Sequence, residues 1–414
     1  MTETATVPGR PDSALAGRYS GTARDLFRLA LVTSILTVLT LGIYRFWAKT
    51  RIRRYVWSSI APGGDPMEYT GTGTEKLIGF LIAVVVLGVG LGLASVVLTF
   101  FGLMSIEESP EGSYTASGAG AAIGPLVTVP LYFYAVYRAR RYRLARTTWR
   151  GIRFGMEPGA WGYALRGCGY GLLTVVTLGA LWPLMTFRLE RYMTERTWYG
   201  DARWRQGGRW TMLYPAMKLI GWAVAGGIAS GLLAALVPRL AVLAPILGMA
   251  AAITGLVGVL HYRLQSMAIL ARHKTLGEGI GVGIAPRTGE VARTVILGHL
   301  GVGLAMAVAG AVISGLGFAL IGASIPTGPE MTLDTGAPSQ MVLPALILGV
   351  VALVMLSLYE PLKIVFVNQP VLAHLVSRAW IEDPVRLTSV HQRQGDSLAD
   401  ADGFADALDV GSLF

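Results

Sequence analysis

Long apolar runs decide what this chain can become. Residues 77–103, 216–236, 241–262, 295–321 and 341–367 are each apolar over more than eighteen positions, and 121–137 adds a shorter one. A helix rising about 1.5 Å per residue needs about 20 such residues to cross a hydrocarbon core about 30 Å thick. With 53% hydrophobic and only 14% charged residues, a set of water-soluble domains is excluded and an integral membrane protein is implied. The 53 glycines fit that medium, where small faces such as Gly226, Gly227, Ser230 and Gly231 let helix backbones approach closely.

The charges set the orientation. Pairing the runs leaves three short connections, around 104–120, 237–241 and 322–340, and of 35 Lys and Arg only Arg239 falls in them. Basic residues concentrate on the cytoplasmic side, so these connections face outward and the stretches 137–154 and 195–210 face inward. The net charge of +10 is accounted for by that distribution and does not call for nucleic acid. The single Cys168 leaves no internal disulfide and no cysteine-rich metal site, and the five histidines are scattered. No cofactor or metal is expected.

One element occurs twice. Residues 36–55, LTVLTLGIYRFWAKTRIRRY, and residues 173–192, LTVVTLGALWPLMTFRLERY, share nine of twenty positions without a gap: Leu36, Thr37, Val38, Thr40, Leu41, Gly42, Arg51, Arg54 and Tyr55. The match resumes as KLIGF at Lys76 and KLIGW at Lys218. The apolar part before Gly42 is only 13 residues, about 20 Å as a helix and too short to cross. Were both copies to cross fully, their cationic arms would face opposite sides, against the charge rule. Gly42 and Gly179 supply a permissive turn, and Pro183 a further break. The expected fold is therefore an all-α polytopic membrane protein built from internal repeats, with six full transmembrane helices and two re-entrant or interfacial elements; eight full spans is the alternative. The divisions are a polar tail at 1–24, repeats at 25–154 and 155–290, a partial repeat at 291–386, and an acidic tail at 387–414.

The stretch from Gly42 through the alternating arginines to Tyr55, the EYTGTGTEKLIGF stretch ending at Phe80, and FADALDVG at Phe404–Gly411 together resemble the YjgN-like family of bacterial inner-membrane proteins over nearly the whole chain. The resemblance implies a multi-pass protein of the bacterial inner membrane. It carries over no catalytic residues. The second copy departs from the motif, with Leu181, Trp182 and Pro183 in place of Tyr44, Arg45 and Phe46, and Glu190 in place of Arg53.

Arg51, Arg54 and Tyr55, with Arg188, Arg191 and Tyr192, stand at i, i+3, i+4 and share one helical face. With Arg45 and Lys49 they make a candidate site for an anionic headgroup or solute, since guanidinium groups hold phosphate through paired hydrogen bonds. The plainer reading is topology anchoring. Glu68–Gly73 has the glycines of an anion-binding nest but not the Gly-Lys-Ser/Thr of a P-loop, and reads as a surface turn. Glu360 and Lys363, one turn apart near the inner end of the last span, with Pro361 expected to break the helix and Asn368 beyond, are polar groups where charge is expensive. No catalytic triad or carboxylate pair emerges, so an enzyme is not expected. The bilayer, with anionic lipid at its cytoplasmic face, is the expected partner; no protein partner is identified. Transport of a small or lipid-like anionic solute is the first expectation, and a membrane scaffold or envelope-homeostasis factor the second.

Overall fold

The computed structural model describes residues 7–100, 104–108, 114–324 and 338–393. In chain order the elements are β1 (Leu15–Ala16), α1 (Ala23–Leu39), α2 (Arg45–Ser58), β2 (Met67–Tyr69), α3 (Gly73–Phe100), β3 (Met104–Glu108), β4 (Tyr114–Gly118) and α4 (Ala119–Ala145). There follow β5 (Thr147–Trp149), β6 (Ile152–Met156), α5 (Ala160–Val176), α6 (Trp182–Thr194), β7 (Thr197–Tyr199), β8 (Ala202–Gln206), α7 (Lys218–Leu236) and α8 (Ala244–Arg272). The chain continues through β9 (Lys274–Leu276), β10 (Ile280–Ile284), α9 (Thr288–Ser324), α10 (Pro338–Lys363), α11 (Gln369–Ser377) and β11 (Ala379–Ile381). Two compact units form: one takes residues 20–56 and 289–374, the other most of the remaining chain.

Among the described residues four helical segments are long and apolar enough to cross a membrane: Trp210–Leu236, Arg239–Arg272, Thr288–Gly317 and Gly349–Ser377. Their apolar side chains point outward. Trp222, Leu236 and Leu256 are each more than 70% exposed, a surface that only lipid satisfies. In the smaller unit α1 packs against α10. In the larger unit α7 packs on α8 and α4 on α5. The connection after α3 holds a β3–β4 hairpin, and the one after α7 a 3₁₀ turn, Pro238–Leu243.

The all-α expectation needs correction. The larger unit holds a nine-stranded antiparallel sheet in the order β1-β11-β10-β9-β8-β7-β6-β5-β2. Six of these strands are three hairpins, each directly following a long or arm helix: β5–β6 after α4, β7–β8 after α6, β9–β10 after α8. The segments that read as basic loops hold short runs of β-branched and aromatic residues, as in Thr147-Thr148-Trp149 and Thr197-Trp198-Tyr199. That pattern fits a pleated, half-buried surface. The turn between β5 and β6 has Arg150 at φ 51° and Gly151 at φ 74°, the left-handed pair that a two-residue hairpin needs. Where hairpins join, Trp198 crosses Gly155 and Trp380 crosses Gly283, each glycine leaving room for an indole on the facing strand.

The segments beside the two edge strands, β1 and β2, are linked to each other. Tyr19, beyond β1, bridges Ile60, the Ala61 N–H donates to the Arg18 carbonyl at 2.8 Å, and the Met67 N–H donates to Ile60 at 2.9 Å. The path of backbone hydrogen bonds thereby closes into a barrel-like ring. Its core gathers Trp149, Tyr199, Leu276 and Ile280 from the strands with Leu387 and Val390 from the segment after β11. Tyr199 donates its hydroxyl to the Trp149 carbonyl at 2.9 Å, and burial pushes its phenol up to about 12.

A bridged ring protects amides that an open sheet would expose. Hydrogen–deuterium exchange of the protein in detergent should show the Ala61 and Gly17 amides exchanging as slowly as those of β7 and β8. Fast exchange at Ala61 alone would mean that the ring is open there.

Candidate functional site

The two similar stretches form two helical hairpins, α1–α2 in the smaller unit and α5–α6 in the larger, and their turns have the same hydrogen bonds. The Leu36 carbonyl accepts from the Thr40 N–H at 3.0 Å and its hydroxyl at 2.8 Å; the Leu173 carbonyl accepts from Thr177 at the same two distances. The N–H groups of Gly42 and Gly179 donate back to Thr37 and Thr174, both at 2.7 Å. Leu41 (φ 50°) precedes Gly42 (φ 92°), and Leu178 (φ 51°) precedes Gly179 (φ 89°). A leucine in the left-handed region costs about 1–2 kcal/mol. Both leucines stand at the tips, 92% and 94% exposed, with Leu39, Val175 and Val176 beside them. A Cβ on Gly42 or Gly179 would touch nothing within 4 Å, so backbone conformation rather than crowding asks for glycine.

Along the returning helices the arginines and tyrosines part company. Arg45, Arg51 and Arg54 are exposed on α2, Lys49 is half-buried, and the Arg51 guanidinium lies 5.7 Å from the Tyr44 ring. The Tyr55 hydroxyl instead accepts from the Thr22 N–H at 2.9 Å and donates to its carbonyl at 3.2 Å, fixing the residue that caps α1. On α6, Arg188 and Arg191 are exposed, Arg191 pairing with Glu195 at 2.6 Å. Tyr192 is buried, donates to the Gly159 carbonyl at 3.0 Å, and carries Arg196 and Arg166 over its ring at 3.6 and 4.7 Å. The arginines are thus the accessible groups, and the tyrosines hold each hairpin together.

Glu360 and Lys363 lie 3.8 Å apart, both partly exposed, with Lys363 5.8 Å from the Tyr359 ring. The break expected at Pro361 does not occur there. Helix α10 runs through Pro361 to Lys363 and relaxes in a π turn, Ile364–Asn368, in which Asn368 is buried. Widening the next turn absorbs the strain of the proline ring within the helix.

The residue missed in the sequence is Glu190. It occupies the position of Arg53 in the first copy, and Arg53 is fully buried. The Glu190 carboxylate accepts from Arg140 of α4 at 3.0 Å and from Lys274 of β9 at 2.6 Å, with the Thr194 hydroxyl at 3.3 Å. Burial alone would raise its pKa, but the Arg140 guanidinium and Lys274 ammonium outweigh it and hold the carboxyl well below the usual range. The reversed charge at an equivalent position was the signal available in the sequence.

Comparison with known proteins matches residues 14–280 to the family described as bacterial protein of unknown function (DUF898), a span holding both helical hairpins. Inner membrane protein YjgN of Salmonella typhimurium is 28% identical over 149 residues, 35% of this chain and 33% of that protein. Inner membrane protein YjgN of Escherichia coli O157:H7 is 25% identical over 149 residues, 34% of this chain and 32% of that protein. The chain thus matches about one third of the length of these relatives. No solved structure matches.

Replacing Glu190 by Gln leaves Arg140 and Lys274 close together without their shared anion. The substitution should cost about 2 kcal/mol, read as a lower unfolding midpoint in detergent. Because the folded carboxyl titrates below its unfolded value of about 4.3, the contribution is full above that pH and fades below it. The gap between wild type and E190Q should therefore narrow as the pH falls below about 4.

Proposed function

The chain belongs to the DUF898 family and is an integral inner-membrane protein, and on that premise we propose that it binds anionic lipids or lipid-like solutes at the cytoplasmic leaflet. In this reading six helices cross, with α3 and α4 as one outward pair. The two hairpins, copies of one ancestral element, re-enter from the cytoplasmic side without crossing.

The observation that carries the proposal is the pair of strained leucine tips. Water gives no return for holding Leu41 and Leu178 in the left-handed region at full exposure. Entry into hydrocarbon returns about 1.5–3 kcal/mol for each such side chain, more than the backbone strain. Gly42 to Arg51 and Gly179 to Arg188 are nine residues each, about 14 Å of helix. Half the hydrocarbon core is about 15 Å. A tip near the bilayer centre therefore puts Arg51 and Arg188 at headgroup depth, where phosphate is.

Translocation is the second reading, and Arg45 favours it. This guanidinium stands one turn from the tip of the first hairpin, where the second has Trp182. A charge that deep is expensive and belongs to a solute path more readily than to an anchor.

Single cysteines at Arg54 and Arg191, in a Cys168→Ser background, should both label from the cytoplasmic side of oriented vesicles; labelling from opposite sides would establish eight spans. Replacing Arg51, Arg54 and Arg188 by Gln should reduce the preference for phosphatidylglycerol over phosphatidylcholine about tenfold, and an unchanged preference would remove the headgroup role. In proteoliposomes, Arg45→Gln should slow exchange of a fluorescent phosphatidylglycerol between leaflets if the protein translocates.

A further inference from the structure

The segment after β11 crosses the hairpin turns of the larger unit instead of pairing with its strands. Each hairpin leaves its helix almost directly, Thr147 after Ala145, Thr197 after Thr194 and Lys274 after Arg272, so the turns mark the end of the ring away from those helices. Asp383, in left-handed backbone at φ 48°, and Pro384 swing the chain out of β11 into a 3₁₀ turn, Pro384–Ser389. At the β9–β10 turn Arg386 donates to the Glu278 carbonyl at 2.8 Å. At the β7–β8 turn the Asp201 N–H donates to the His391 carbonyl at 2.9 Å, and the His391 N–H to Asp201 Oδ1 at 3.1 Å. Beside the β5–β6 turn the Arg153 N–H donates to Gln392 Oε1 at 2.8 Å. The strap thus visits the three turns in reverse chain order and brings the Arg393 guanidinium within 4.3 Å of the Trp198 ring centroid.

Two side chains seal the end of the ring. Leu387 and Val390, each 6% exposed, pack among Trp149, Tyr199, Leu276 and Ile280. The rest of the strap faces out, with Val385 79% exposed and Thr388, Ser389 and His391 exposed beside it. Among the described residues the strap adds no strand to the sheet, and its hydrogen bonds to the ring lie at or beside the turns. A segment held by few buried apolar groups and by exposed hydrogen bonds opens at a lower free energy than the ladders it covers.

We propose that residues 384–393 form a latch that lifts as a unit about Asp383 and Pro384 while the ring stays paired, uncovering an apolar pocket walled by Trp149, Tyr199, Leu276 and Ile280. Seated, the latch gives this end of the ring a polar surface. Lifted, the same end presents the apolar side chains that Leu387 and Val390 had covered. The latch does not rest on the lipid reading of the helical hairpins, because none of the hydrogen-bond and core partners named for it belongs to them.

The test is thiol labelling of the full chain in phosphatidylcholine nanodiscs, with single cysteines in a Cys168→Ser background. Val390→Cys reports on the latch, Ile280→Cys on the pocket wall, and Thr197→Cys, buried at the helix end of β7, on the rest of the ring. Val390→Cys and Ile280→Cys should label at one rate, within about threefold, and about a hundredfold faster than Thr197→Cys. Leu387→Ala should raise the rate at Ile280→Cys by about tenfold or more and leave that at Thr197→Cys unchanged. Equal labelling of all three overturns the latch, since the strap would then leave only when the whole ring opens. Fast labelling of Val390→Cys with Ile280→Cys as slow as Thr197→Cys overturns it too, because the strap would then fray without uncovering the pocket. An Ile280→Cys rate indifferent to Leu387→Ala would show that the pocket opens by another route and would likewise remove the latch.

Discussion

Backbone hydrogen bonding fixes which parts of this chain can meet lipid. A helix satisfies its own N–H and C=O groups, whereas a strand needs a neighbour, and an open sheet edge in hydrocarbon is untenable. Helices α7 and α8 accordingly carry outward-facing Trp222, Leu236 and Leu256. The nine strands belong to the basic ends of the helices, and a bridge from Tyr19 to Ile60 links the segments beside the two edge strands. Each of α4, α6 and α8 delivers one hairpin, and the hairpins pair side to side. Three helices that already meet through side chains, as at Arg140 with Glu190 and Tyr262 with Thr186, are thereby joined through one hydrogen-bonded surface as well.

Within that frame the two helical hairpins share their turns and differ in their arms. Threonine, leucine and glycine at the tip recur because they satisfy the last carbonyls of the first helix and reverse the chain in a few residues, as the equal distances at Thr40 and Thr177 record. The arms carry different charges inside: a fully buried Arg53 in one, a partly buried Glu190 in the other. Buried charge must be paired, so each substitution commits its hairpin to different neighbours. For Glu190 these are Arg140 and Lys274.

Length and periodicity made the apolar helices, the basic segments and the turn glycines legible in the sequence, because each rests on neighbours within a few residues. The sheet rests on partners far apart. Leu15 pairs with Ile381, and three-residue strands studded with arginine read as basic loops until their neighbours are known. The arginines of the candidate face were legible as cations, but not the inward turn of Tyr55 and Tyr192, which depends on Thr22 and Gly159. Pro361 misled for a related reason. A long helix can widen one turn instead of breaking, and only the surrounding packing decides between them.

Helix α6 is where these features meet. Its 13 residues form one rigid rod about 20 Å long, with the leucine tip just before its first turn. Glu190 ties its far end to α4 and β9, while the next residue, Arg191, lines a cleft floored by β8 and β9. The leucine tip, the ionic clamp and Arg191 therefore belong to one mechanical element. Arg191 and the exposed Leu178 thus stand at the two ends of one rod, and any coupling between what each contacts must run equally in both directions. Through Arg140 and Lys274 the Glu190 carboxylate ties α6 to α4 and β9, a link that the helix's own hydrogen bonds do not provide.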